Sequence, residues 1–154
     1  MIRKKPLDAI GWREWAELPL LHVPHIKVKV DTGAQTSSLH AVRMHLFTRR
    51  GRDYVEFEVH PEQRGTLGSV INRVPVLEYR HVKSSNGQVE RRPVIVTDIV
   101  MMGQRWPIEV TLTNRANMGF RMLLGRQSFR GRFVVDVGRS YCGGKPAVKK
   151  RARV

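Results

Sequence analysis

From His25 onward the apolar residues fall on every second position: Ile26, Val28 and Val30 alternate with Lys27, Lys29 and Asp31. Successive side chains of a strand point to opposite faces, so this pattern predicts a half-buried strand and argues against a helix. Runs over 37–48, 53–59, 74–84, 88–99, 106–113 and 132–137 are rich in Val, Ile, Thr, Tyr and Phe, residues that suit a pleated, half-buried surface. Gly51, Pro61, Gly65, Gly68 and Gly103 punctuate them. Asn86-Gly87 is the sharpest break. Both residues tolerate positive φ, which predicts a type I′ hairpin turn, and its polar flanks predict a hairpin projecting into solvent. Helix is scarce, with one short turn expected around Arg126–Phe129. The expectation is an all-β fold of about seven or eight short strands, closed into a small barrel.

A chain of 154 residues is expected to form one domain. Its organisation reads as an irregular N-terminal arm over 1–24, with one strand or turn near Ile10–Trp15, a β-domain over 25–138, and a basic tail over 139–154 that is mobile from Gly143. No apolar run approaches the roughly 18 residues of a membrane-spanning helix. No apolar stretch follows the basic start, so a secretory leader is not expected, and the cytoplasm is the expected compartment. The single cysteine, Cys142, excludes an intramolecular disulfide and a Cys-based zinc cluster. Twenty-eight Lys and Arg face thirteen Asp and Glu, a formal charge of +15. Such a surface attracts polyanions. Arg139, Lys145, Lys149, Lys150, Arg151 and Arg153 put part of that excess in the tail, which points to ribosome contact.

One motif carries chemistry. Val30-Asp31-Thr32-Gly33-Ala34 places a carboxylate at the end of the clearest strand. Gly33 lets the chain turn sharply, the Thr32 hydroxyl is expected to lock the loop, and Asp31 then projects from a stiff base. Ninety-odd residues later comes Met122-Leu123-Leu124-Gly125-Arg126, two apolar residues and a Gly opening a short helix. The polar hairpin lies between the two. A second Asp-x-Gly, Asp136-Val137-Gly138, has no such partner loop after it and reads as a strand-end turn.

Together these stretches resemble the retropepsin-type aspartic proteases. More closely, the chain is similar to the bacterial RimB-like family usually called "ATP-dependent zinc proteases", some members of which accompany the RimK ribosomal-protein glutamate ligase. The matching segments are 10–15, 30–41, 85–95 and 112–126. The resemblance implies that Asp31 is catalytic with Thr32 and Gly33 in support, and that 82–93 is a flap. It also implies a homodimer in which each copy supplies one aspartate. Ala34, Lys83, Ser85, Asn86, Gly87, Arg91, Arg92 and Arg126 become candidate substrate contacts. In retroviral relatives the fourth residue after the catalytic Asp is an acid that pairs with the Arg of the Gly-Arg step. Here it is Gln35.

The older family name invites two checks. No His-Glu-x-x-His is present, and His22, His25, His40, His45, His60 and His81 form no recognisable ligand set. The stretch Gly138–Lys145 fails as a phosphate loop at both ends, so no metal and no nucleotide is expected. The expected function is therefore an aspartic peptidase acting on a glutamate-rich or glutamate-tailed protein. The competing reading is a catalytically silent basic β-module that binds RNA or the ribosome.

Overall fold

The computed structural model describes residues 5–61, 68–84, 86–114 and 119–145. Among them are the strands β1 (Asp8–Gly11), β2 (Arg13–Leu18), β3 (Val23–Asp31), β4 (Ser37–Arg49), β5 (Arg52–Val59), β6 (Val70–Pro75), β7 (Glu78–Lys83), β8 (Val89–Met101), β9 (Gln104–Thr113), β10 (Met122–Gly125) and β11 (Phe133–Asp136). Helix is confined to two 3-10 turns, Pro19–Leu21 and Arg126–Ser128. No helix among the described residues is long and apolar enough to cross a membrane.

The strands form a ring of pairings, β10–β3–β2–β8–β9–β4 and back to β10. The seam between β2 and β8 is a single register pair, Glu17 with Val100. β5 and β6 extend the sheet outward from β4, and β7 pairs with the first half of β8. The alternation seen in β3 is real: Ile26, Val28 and Val30 are buried and meet Leu39, Ile95, Leu112 and Leu124 in one core.

Three expectations need correction. The run 74–84 is two strands. Pro75 has no N–H to continue the ladder, and there the chain changes partner: Val76 N–H bonds to the Asp53 carbonyl and Leu77 N–H to the Val94 carbonyl. The Asn86-Gly87 step does not form a type I′ turn. The Ser84 carbonyl accepts from Gly87 N–H at 2.9 Å and Ser84 N–H donates to Gln88 at 2.8 Å. Gly87 has positive φ, at +85°, and sits at the last position of the turn that its own N–H closes. Type I′ geometry sits instead at Arg50-Gly51 and Met102-Gly103, where both residues have φ between +52° and +74°.

The third correction concerns the ends of the chain. The expected arm is two strands: β1 pairs in parallel with β11, and β2 runs antiparallel to β3. Residues 139–145, at the start of the tail, lie across them. Trp12 N–H donates to the Arg139 carbonyl and Tyr141 N–H to the Arg13 carbonyl. The buried Glu14 carboxylate accepts from the N–H groups of Gly11 (2.7 Å), Cys142 (3.0 Å) and Gly143 (3.1 Å). That anion holds Gly143, where mobility was expected to begin. Residues 146–154 lie outside the described residues.

Candidate active site

The ring brings the two halves of the motif into contact. β10 runs between β3 and β4, parallel to the first and antiparallel to the second. In that register Gly125 lies beside Asp31 and Leu124 beside Val30. The loop 32–36 therefore has to pass over the end of β10, and it passes close. A Cβ on Gly125 would sit 2.5 Å from the Thr36 carbonyl carbon and 2.9 Å from the Gln35 oxygen. Only glycine fits there.

Asp31 is half-buried at the mouth of this loop. Its backbone carbonyl accepts from Ala34 N–H at 3.2 Å, and its carboxylate accepts from Gly33 N–H at 3.0 Å. The second bond aims the carboxylate and supplies a donor to the charged form. Thr32 does not lock the loop through its hydroxyl; the side chain is exposed and makes no hydrogen bond among the described residues.

The lock comes from below. Ser37 Oγ accepts from Gly125 N–H at 3.0 Å and shares a hydrogen bond with Ser128 Oγ at 2.5 Å. Arg126 N–H and Gln127 N–H donate to the carbonyls of Ala34 and Gln35. Trp106 Nε1 donates to the Ser128 carbonyl at 2.7 Å. The Arg126 guanidinium donates to the carbonyls of Thr32 (3.4 Å) and Gly33 (3.2 Å). Within this chain Arg126 is thus a clamp under the turn, with backbone oxygens where retroviral relatives offer a carboxylate.

Above the turn opens a cleft of about 1500 Å³. Asp31, Gly33 and Ala34 line its floor, and Lys83, Ser84 and Arg92 line the hairpin side. Asn86, Gly87, Arg91 and Arg126 are not among its lining residues, and Ser85 lies outside the described residues. Strand alternation separates the two arginines. Arg91 stacks on Tyr79 at 3.9 Å on the exposed face, whereas Arg92 is 2% exposed and donates to Ser38 Oγ at 3.1 Å and to Glu90 at 3.3 Å.

The lining is strongly cationic. Among the described residues Lys29, Arg80, Lys83, Arg92, Arg130 and Arg132 face only two carboxylates, Asp31 and Glu109. Glu109 is already engaged by Arg80 at 3.0 Å. Lys29, Lys83 and Arg130 have no carboxylate partner among the described residues.

Asp136 repeats the local geometry of Asp31, accepting from Gly138 N–H at 2.9 Å, but it lies outside the cleft lining. No group of three or more His, Cys, Asp or Glu among the described residues could hold a metal ion. This donor set does not fit zinc, which takes three or four such ligands. His40, buried in β4, has its pKa held below the ordinary value by burial, with the charges of Arg121 and His60 acting in the same direction. Burial also raises the Cys142 thiol, and the Glu14 carboxylate adds to the rise.

The family model for "Retropepsin-like aspartic endopeptidase RimB" matches residues 9–146. The chain belongs to the RimB-like family. Two proteins named "Probable alpha-L-glutamate ligase" are similar to it. The one from Shewanella halifaxensis is 46% identical over 136 residues, and the one from Parasynechococcus marenigrum is 47% identical over 127 residues. These matches cover 88% and 82% of this chain but only 30% and 27% of those relatives. A crystal structure of a Legionella pneumophila protein of unknown function superimposes with a TM-score of 0.75 at 26% identity, covering 88% of this chain and 98% of that one.

The matched range spans the Asp31 turn and its supports. Ser37 and Ser128 are the site residues that motif reasoning left without a role. The structure buries Ser37 and Ser38 with the next three residues of β4, Leu39, His40 and Ala41.

Proposed function

We propose that the chain is an aspartic peptidase working as a homodimer, with the retropepsin barrel completed around two Asp31 carboxyls. The observation that carries this is the placement of Asp31 on a braced turn at the floor of a large cleft, with no second available carboxylate in the lining. Peptide hydrolysis by carboxyls needs two of them sharing one proton; repulsion keeps one protonated while the other stays ionised. A second copy supplies the missing member, and the exposed Thr32 is available to it.

The ionised carboxylate takes a proton from a water, whose oxygen adds to the scissile carbonyl carbon. The protonated carboxyl gives its proton to the carbonyl oxygen. Collapse of the tetrahedral intermediate breaks the C–N bond; the proton taken from water passes to the leaving amine, and a hydroxyl proton of the intermediate returns to the carboxyl that gave one up, restoring the shared proton.

The substrate is acidic. Lys29, Lys83 and Arg130 present uncompensated charge to the cleft, and the Arg130 guanidinium offers a planar fork suited to carboxylates. The name of the glutamate ligase relatives fits a glutamate-bearing protein chain, such as a ribosomal protein with added glutamates.

The test is cleavage of glutamate-tailed and neutral peptides between roughly pH 4 and 8, for the wild type and Asp31→Asn. The variant is expected to lose at least about a hundredfold in kcat/KM. Full activity in Asp31→Asn, or activity in a strictly monomeric protein, would sink the proposal.

A further inference from the structure

The β4–β5–β6 extension lies outside the ring, and the cleft does not use its outer face. Register fixes what that face carries. Phe47 is opposite Tyr54, Arg49 opposite Arg52, and Glu56 opposite Arg73. Residues directly opposite one another share a face, as do i and i+2, so all six lie together, away from the buried Val55, Phe57 and Val59.

Phe47 and Tyr54 stack, with ring centroids 5.6 Å apart and planes 17° from parallel. With Arg49, Glu56 and Arg73 they line a groove of about 400 Å³. The hairpin ends on Arg49-Arg50-Gly51-Arg52. Arg49, Arg50 and Arg52 are exposed and pair with no carboxylate among the described residues. Arg50 holds φ +52° in the two-residue turn, where Asn or Gly would be unstrained. The chain keeps a third cation at the tip in spite of that strain.

We infer that this face binds single-stranded RNA, with a base laid on the Phe47–Tyr54 stack and its phosphates on Arg49 and Arg52, Arg73 being held by Glu56 at 3.4 Å. Flat aromatic surface beside a row of cations is how strands are held without sequence readout. An acidic peptide would use the arginines but has no flat ring for the stack, and an anionic lipid surface has none either. The face shares no lining residue with the cleft, and its role stands whether or not the peptidase reading does.

The experiment is fluorescence anisotropy of a labelled single-stranded oligouridine titrated with the full chain at several salt concentrations. Arg49→Gln/Arg52→Gln is expected to weaken binding and to flatten the slope of log K against log salt by about 1.4, at ~0.7 for each lost phosphate contact. Tyr54→Thr is expected to weaken binding about fivefold or more with the slope unchanged. Tyr54→Phe, which keeps the ring, should bind as the wild type does. Thermal midpoints of all variants show that they are folded. Absence of RNA binding by the wild type overturns the inference. So does a folded Tyr54→Thr that binds as tightly as wild type, or displacement of the RNA by oligoglutamate of equal charge as efficient as by unlabelled RNA.

Discussion

Gly125→Ala tests whether the catalytic turn is braced by close packing against β10. The added Cβ would lie 2.5 Å and 2.7 Å from Thr36 C and O and 2.9 Å from Gln35 O. All three are backbone atoms, so no side-chain rotamer change relieves the contact. Ordinary van der Waals contact begins near 3.4 Å, so the loop 34–36 must retreat from β10 by about 0.9 Å. That retreat stretches three supports together: Arg126 N–H to Ala34, Gln127 N–H to Gln35, and Gly125 N–H to Ser37. Overpacking of this kind costs about 1–3 kcal/mol. Restricting the unfolded chain by Gly→Ala returns up to ~1 kcal/mol of it. Because the contacts are to backbone atoms, the cost lies in the upper part of that range and the net loss is about 1–2 kcal/mol, which for a chain of this size lowers Tm by about 2–8 °C. The catalytic effect should be larger, since a misplacement of about 1 Å at a reacting group costs on the order of a hundredfold. Gly119→Ala is the control for stability, because its Cβ would have no neighbour within 4 Å among the described residues. Thermal unfolding and glutamate-peptide cleavage read the two effects. A Gly125→Ala protein with a Tm within about 1 °C of wild type would refute the bracing argument outright.

Ser37→Ala leaves Gly125 N–H buried without its acceptor and breaks the Ser128 bond; a loss of about 1–3 kcal/mol is expected by chemical denaturation, with cleavage falling alongside. Glu14→Gln puts an amide NH₂ against one of three converging backbone N–H donors, so stability should fall by about 1–3 kcal/mol. The same change removes a charge that raises the Cys142 pKa, so alkylation of Cys142 by iodoacetamide near neutral pH should speed up. For His40 the folded pKa lies below the ordinary 6.5, so the unfolded chain binds the proton more readily. Its contribution to stability is present above about pH 6.5 and is lost as pH falls through the folded value. Tm should drop on acidification, and His40→Gln should flatten that slope.

The sequence made most of the ring legible because strands such as β3 and β9 bury alternate apolar residues in plain view. β2 defeated the same reasoning for a physical cause. Its inward positions are Glu14, Ala16 and Leu18, while Trp15 is only half-buried and faces outward. The hydrophobic pattern is inverted at its centre, because the buried carboxylate serves as an anchor for the C-terminal strap. No local rule reveals that Glu14 has three N–H donors when two of them come from residues 142 and 143. Turn chemistry misled for a related reason. The type I′ sites at Arg50-Gly51 and Met102-Gly103 are imposed by strand registers, Arg49 with Arg52 and Met101 with Gln104. The Asn86 side chain instead accepts from Gln88 N–H within its own hairpin.

At the site, local sequence identified the elements but not how they hold one another. Asp31 and Gly125 are ninety-odd positions apart, and only the parallel register of β3 and β10 shows why both are needed: one carries the carboxylate, and the other lets the loop that aims it pass over the neighbouring strand. Arg126 shows the same limit more sharply. With Gln35 where retroviral relatives carry an acid, its guanidinium is free to cross under the turn and bond two carbonyls of the loop. A substitution that reads as the loss of an ion pair thus becomes a second brace on the Asp31 turn. The stiffness of Asp31 then depends on contacts within one chain, before any partner arrives.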